Sequence, residues 1–402
     1  MNRRAFLQAA ALVAVTTPWR AWALPAANQP RLLVVMLRGA YDATNVVVPY
    51  SAPFYYAARP TIAIAAPVVD NAAAALELGG GYGLHPALAA SIYPMYQARQ
   101  ALFVPFSGSQ DTSRSHFQAQ DILELGQDPH DHGGLDYANG FLNRLVSILQ
   151  GRGMGGIAFT NNLTPVFKGN LDIPNIALQG ARHAPIDARR SAMLQALYQG
   201  QRLENYVDEG MATRQQVSSL LETEMVNASR GAAKAAGFSQ TAQTMAMLMR
   251  DKPAYTVGFV DVGGWDTHVN QGGADGLLAN NLRNLGDGLA QFANTLGPDA
   301  WRNTVVVVMS EFGRTFRENG NHGTDHGHGS ALWLLGGGIT GGKLAGEQVA
   351  ITETSLNQNR DLPVLNDYRA VLGNLLQRLY GLNAAQLQQV FPGVAPTDFG
   401  IV

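Results

Sequence analysis

The sequence predicts an α/β fold built around a buried, mostly parallel sheet. Three observations carry this reading. Apolar runs recur at 31–37, 101–106, 305–308 and 331–335, and 256–262 repeats the pattern with Asp261 inside it. Strands covered on both faces read as continuous runs of this kind, whereas half-exposed strands alternate. Most of the runs end in a short polar, Gly-rich segment carrying Asp, His, Glu or Ser, and open α/β sheets collect their ligands at the carboxyl ends of strands. Between the runs, apolar residues recur at helical spacing, as in Leu277, Leu278, Leu282, Leu285, Leu289 and Phe292.

Composition narrows the function classes. The chain has 402 residues, 46% of them hydrophobic and only 14% charged, with a formal net charge of -2. That balance supports a sizeable core, and no basic stripe of the kind nucleic acid requires is present. There is no cysteine, so disulfides, thiolate nucleophiles and Cys-type zinc sites are excluded. Any metal must be held by His, Asp, Glu, Ser or Thr.

The first residues read as an export signal. Arg3-Arg4-Ala5-Phe6-Leu7 precedes a short apolar stretch over 9–15, and Ala21-Trp22-Ala23 has the small-x-small form of a processing site. A charged start, apolar middle and cleavage site describe a bacterial signal peptide, and the paired arginines describe its twin-arginine type. The stretch is far short of the roughly 20 residues a membrane span needs. We therefore expect a signal over 1–24, with the twin-arginine translocase as export partner. The mature domain, 25–402, would then work in the periplasm or outside the cell, without a stable membrane span.

The first strand, 31–37, delivers Asp42 to its carboxyl end. Leu84-His85-Pro86 opens a helix, with proline in the first turn. The second strand region, 101–106, is followed by Ser113, Arg114, Ser115 and His116. Ser115 and Gln118 have capping-box spacing. A serine at a helix N-terminus also has backbone N–H groups and the positive dipole end beside it, which favour an anion. His130-Asp131-His132 lies in a Gly-rich loop read as solvated. Residues 184–251 carry apolar positions at helical period and several methionines, read as a helical insertion or layer with the methionines as core filler. The next strand, 256–262, leads to Asp266 and His268, whose side chains meet only if the loop curls. Glu311 ends the 305–308 run, and the loop after it supplies Arg314, Asp325, His326 and His328. Asp361–Arg369 reads as a capped helix start, and the helix runs to about Leu379-Tyr380, where Gly381 ends it.

Together these strand ends form a constellation. Mixed His and carboxylate donors suit zinc, manganese or iron, and carboxylate-rich sets suit magnesium or calcium. One or two divalent ions would be served by Asp42, Asp266, His268, Glu311, Asp325, His326 and His328. Five segments, Arg38–Asp42, Ser113–Phe117, Gly264–His268, Ser310–Thr315 and Gly323–Gly329, also resemble in order the motifs of the twin-arginine-exported bacterial family called domain of unknown function 1501. That family is assigned to the alkaline phosphatase/sulfatase-like superfamily. The resemblance implies a three-layer α/β/α sandwich of the alkaline phosphatase-like type with a helical insertion. It also implies metals at the strand ends and hydrolysis or transfer of phosphate or sulfate esters, on a small-molecule or envelope-polymer substrate. Asp42 matches the first-strand metal aspartate. Asp266 and His268 resemble an Asp–His pair separated by one residue instead of the usual three. Glu311 and Phe312 stand where an Asp-His pair is usual. Ser115 is best placed as nucleophile, Ser113 next, with Arg114 or Arg314 stabilising the transferred group. The alternative is a relative that keeps the fold and acts as a cell-envelope binding or assembly protein.

Overall fold

The computed structural model describes residues 29–128, 134–178, 228–252 and 254–402. The signal segment, the His130–His132 loop and the 184–227 part of the helical stretch lie outside the described residues.

The central sheet contains β1 (Arg31–Leu37), β5 (Ala101–Gly108), β6 (Gly155–Phe159), β8 (Tyr255–Gly263), β9 (Thr304–Ser310), β10 (Ser330–Gly336) and β11 (Lys343–Leu344). Short strands β7 (Ala233–Lys234) and β12 (Asn366–Asp367) pair onto β8 and β5. The order is β11-β5-β10-β9-β1-β8-β6. Strands β6, β8, β1 and β9 run parallel, and β10 is antiparallel to both of its neighbours. A separate small sheet joins β2 (Val47–Val48), β4 (Tyr82–Leu84) and β3 (Leu76–Gly79).

The unbroken apolar runs have the expected cause. Every residue of β1 and β9 is buried, and successive side chains serve opposite faces. Leu33, Val35 and Leu37 pack into one core with the Phe238–Asp251 and Leu277–Trp301 helices. Leu32, Val34 and Met36 pack into a second core with the Phe141–Leu149, Tyr368–Tyr380 and Ala384–Val390 helices. The result is a mixed sheet between two helical layers. Met245 and Met249 are fully buried in the first core, so in the described part of the helical stretch these methionines are filler. Among the described residues no helix is long and apolar enough to cross a membrane.

Two local expectations change. The helix at Pro86 is a single 3-10 turn, Pro86–Leu88, with the His85 ring accepting from Ala87 N. The His85 Nε2 lies 3.1 Å from the Gly273 carbonyl, so both ring nitrogens are used structurally. The Ser115 capping box does not form. Ser115 is the N-cap of the His116–Leu125 helix but its side chain makes no cap hydrogen bond, and Gln118 Nε2 reaches Asp111 instead.

The topology brings the polar segments to one edge. In register, Leu37 lies beside Ser310 on one side and Val262 on the other. The antiparallel β10 returns to the same edge, and its first residue, Ser330, pairs with Ser107 of β5. The loops after β1, β5, β8 and β9 therefore meet there.

Candidate metal centre

The β9–β10 loop folds back on itself. Thr315 N donates to the Asp325 carbonyl and Gly327 N to the Gly313 carbonyl, each at 2.8 Å. Arg314 and His326 face each other across an antiparallel bridge. This explains one of the glycines: a Cβ on Gly313 would sit 1.8 Å from the Gly329 carbonyl oxygen, so only glycine fits. Gly39 plays the same part under the β8 loop. Its φ is +115°, and a Cβ there would lie 2.6 Å from Asp266 N.

Three histidines converge on Asp266. His268 Nε2 is 2.9 Å from Asp266 Oδ1, so the loop does curl. His326 Nε2 is 3.0 Å from His268 Nε2, 2.9 Å from His116 Nε2 and 3.5 Å from Asp266 Oδ1. His116 Nε2 is 3.5 Å from Asp266 Oδ2. Four donors thus come from three places: the start of the helix after β5, the end of β8, and the β9–β10 loop.

Each ring is oriented through its other nitrogen. His116 Nδ1 donates to Glu311 Oε1 at 2.8 Å. His268 Nδ1 donates to Asp325 Oδ1 at 2.9 Å. His326 Nδ1 donates to the Arg114 carbonyl at 3.1 Å. That carbonyl is aimed by a left-handed backbone at Arg114, φ 55°, an uncommon conformation for a non-glycine residue. With every Nδ1 committed as donor, each Nε2 of a neutral ring presents a lone pair to the centre. Metal-binding histidines are held in this manner.

The electrostatics agree. Burial works against charge on His116, but Asp266 and Glu311 outweigh it and raise its pKa to about 9. His268 is also raised against its burial, by Asp266 and Asp325. His326 is lowered, chiefly by burial. Asp266 is driven down despite its burial, by the three histidines and Arg314. Without a cation, protons must therefore separate the rings.

The donor set fits a metal. Ligands of a tetrahedral zinc, about 2.0–2.1 Å from the ion, are about 3.3 Å apart, and the His116–His326 and His116–Asp266 Oδ2 separations, 2.9 and 3.5 Å, bracket that spacing. Asp266 Oδ2 is buried and has no hydrogen-bond partner, which leaves an unsatisfied anionic oxygen beside the His116 imidazole, with His268 and His326 at the other carboxylate oxygen. Such an atom requires an explanation, and a cation supplies one. Its partner oxygen is held by Arg314 Nη1 at 2.5 Å.

The other expected ligands are placed differently. Glu311 is fully buried, and its Oε1 already receives Gly39 N, Gln120 Nε2 and His116 Nδ1 at 2.8–2.9 Å. It lies behind His116 as an orienting carboxylate, with its pKa lowered to about 2 by His116 and Gln120 against burial. Asp325 stands behind His268 in the same way, also held near 2 by His268. His328 points elsewhere, to the backbone of Asp111 and the neighbourhood of Asp361. Asp42 has both oxygens bound: Arg59 donates at 2.5 and 3.1 Å, and Gln271 at 2.7 Å. These four are corrected from expected ligands to supporting or separate positions. His116 enters in their stead. Its only signal in the sequence was its place inside the Ser113–Phe117 motif.

The expected catalytic group is partly assembled. Ser115 is half-buried and lies between Arg114, whose carbonyl holds His326, and His116. Ser113 Oγ is spent on Asp111 at 2.6 Å. Arg114 pairs with Asp361 at 2.6 Å and also reaches Gln358. Arg314 is buried between Asp266 and Thr324.

The sequence profile of a family described as "Protein of unknown function (DUF1501)" matches residues 29–391. The chain belongs to this family. No curated protein matches it. Among solved structures, this DUF1501 chain is similar to Ps i-CgsB in complex with k-i-k-neocarrahexaose, at 9% identity and a TM-score of 0.41, over 89% of this chain and 74% of that one. It is similar to a protein in the alkaline phosphatase superfamily from Vibrio parahaemolyticus, at 10% identity and 0.41, over 94% and 75%. Alkaline phosphatase from the Antarctic bacterium TAB5 matches at 12% and 0.28, over 77% and 92%. Function in this DUF1501 chain is read from its own side chains.

Proposed function

We propose that this chain is an exported, metal-dependent hydrolase of phosphate or sulfate esters. One observation carries the reading: the His116 and His326 Nε2 atoms and the Asp266 carboxylate lie close enough to share one ion, Asp266 Oδ2 is buried and unpartnered, and each ring is aimed from behind. His116, His326 and Asp266 would hold the ion, with His268 as a further donor beside Asp266 Oδ1. When bound, a divalent cation polarises an ester oxygen and lowers the pKa of a bound water.

The chain's own residues do the rest. Glu311 and Asp325 keep two Nδ1–H groups pointed away from the centre. Arg314 fixes Asp266 so that Oδ2 stays free. Ser115, with a hydroxyl not used as a cap, is the proposed nucleophile, seated at the positive end of its helix. Arg114, only part-buried beside Asp361, is the arginine nearer to an incoming anion. Arg314 acts through Asp266. Export by the twin-arginine translocase, work in the periplasm or outside the cell, and a small-molecule or envelope-polymer ester as substrate belong to the same proposal. They rest on the N-terminal residues and the motif resemblance.

The test is elemental analysis of protein purified from its native compartment, followed by a panel of aryl phosphates and aryl sulfates with Ser115→Ala and Asp266→Ala as controls. Bound metal, with ester turnover that both variants lose, is expected. A metal-free protein inactive on every ester would sink the reading.

One observation favours a second reading. His268 stands beside the His116, His326 and Asp266 group, on Asp266 Oδ1; with it as a fourth protein ligand the shell would be closed, as is typical of structural metals. The chain would then be an envelope binding or assembly protein with a stabilising ion. Tight metal, a large loss of melting temperature on chelation and no turnover would mark that case.

A further inference from the structure

The helix that carries His116 also carries an aromatic side chain that the metal centre does not use. Phe117 is 52% exposed. Single exposed apolar residues are ordinary, but this one is built into a framework. The Arg230 guanidinium lies 5.3 Å over its ring, and Arg230 Nη2 donates to the Phe117 carbonyl at 2.8 Å. Asp121, one helical turn on, fixes that guanidinium through Nη1 at 2.7 Å. Tyr137, itself half exposed, donates to the other Asp121 oxygen at 3.0 Å. The arginine's charge is thus neutralised locally, and its plane supports the ring.

The same segment is tied to the carboxyl edge of the sheet. The Gly264 N–H, two residues before Asp266, donates to Ser229 Oγ at 3.3 Å. The Ala228 carbonyl accepts from Gln120, whose amide also holds Glu311. The Asn162 amide at the end of β6 donates to the Arg230 carbonyl at 3.1 Å, and the next residue, Leu163, is 60% exposed. The Phe117 carbonyl, Arg230 and the loop that carries Leu163 are thereby joined to the segments that form the edge on which the histidines meet.

We propose that Phe117, backed by Arg230, is the platform for the organic half of the substrate, and that this half is a ring. An aromatic face held from behind suits the flat apolar face of an aryl group or a sugar and gives little to a short alkyl chain. The platform rests on the hydrolase reading for its substrate, so the test has a catalytic arm and a binding arm. In the first, kcat/KM of the metal-loaded protein is measured on 4-nitrophenyl phosphate and sulfate, on a hexose 6-phosphate and 6-sulfate, and on methyl phosphate and methyl sulfate. Phe117→Ala should lower the ring substrates roughly three- to tenfold, the size of one ring stack, through KM, and leave the methyl esters unchanged. Phe117→Trp should restore the ring substrates. Whether the aryl or the sugar arm moves more tells which ring is used. In the second arm, phenylphosphonate and methylphosphonate binding are compared in the same proteins by calorimetry. A Phe117-dependent preference for the phenyl compound supports the platform even if no ester is turned over, in which case only the hydrolase reading falls. Equal losses on ring and methyl esters, or a phenyl preference untouched by Phe117→Ala in a protein of unchanged melting temperature, would overturn the platform.

Discussion

Asp42 and Asp266 make a controlled comparison within one molecule. Both follow central strands, both are fully buried, and each is paired with a buried arginine at 2.5 Å. Their surroundings then diverge. Around Asp42, the Arg59 donors are also taken by the Phe316 and Thr315 carbonyls and by Asn45 Oδ1, and Gln271 covers the carboxylate from another side. Around Asp266, the arginine holds one oxygen, three histidines approach, and the other oxygen is left without a hydrogen bond. A buried strand-end carboxylate is therefore not a metal ligand by position alone. What would offer it to a cation is the convergence of neutral donors on it while its own lone pairs stay unspent. Asp42 is a closed ion pair that knits β1 to the β9–β10 loop, and Asp266 is an open one.

The largest expected effect breaks the open side. Asp266→Asn or His326→Ala should abolish stoichiometric metal binding, a greater loss than the roughly 10–100-fold typical of an outer-shell change. Elemental analysis after dialysis against a weak chelator checks it, and retention of a full equivalent of metal would show that the cluster is not the site. Breaking the closed side should act on stability instead. Arg59→Ala leaves Asp42 buried and unpaired, a change that costs about 3–5 kcal/mol, with metal stoichiometry unaltered. Urea denaturation and metal analysis on the same sample read both quantities.

The orienting carboxylates sharpen the comparison. Glu311→Gln should weaken metal binding by about 10–100-fold. Asp325→Asn should fall at or below the low end, because that carboxylate is 48% exposed and water can replace it. A competition titration with a chromophoric chelator ranks the two, and the reverse order would mean that burial does not set the strength of the outer shell. The last test concerns a histidine outside the cluster. Burial lowers His85 to about 4, below the 6.5 of an unfolded chain. The unfolded state therefore binds more protons in this window, and stability present above pH 6.5 is lost as the pH falls toward 4. The contribution is about 3 kcal/mol at most. His85→Gln should flatten the slope of unfolding free energy between pH 6.5 and 4, and an unchanged slope would assign that acid sensitivity elsewhere.

Much of the fold was legible because its signals are local. Unbroken runs such as Val305–Val308 announce strands covered on both faces, and Gly381 closes the Tyr368–Tyr380 helix with φ +65°. Asp266, His268 and His326 were legible as donors because residue type and loop position suffice for a shortlist. The division of labour within the shortlist was not. Whether Glu311 binds an ion or a histidine depends on what fills the space in front of it. That is His116, 195 positions earlier in the chain. Ser115 shows the same limit from the other side: the capping-box spacing is present, but Gln118 is drawn to Asp111, a contact the spacing cannot foresee.

By itself, then, the sequence determined the α/β class, the strands, the edge on which the polar segments gather and the residue types available there. These follow from hydrophobic period, turn chemistry and composition, which act within a few residues. Only the tertiary structure decided which donors converge and which are spent on other partners. It set Asp42 against Arg59 and aimed His116, His268 and His326 at Asp266. Convergence is a property of distances across the sheet, and those are fixed by strand order and register.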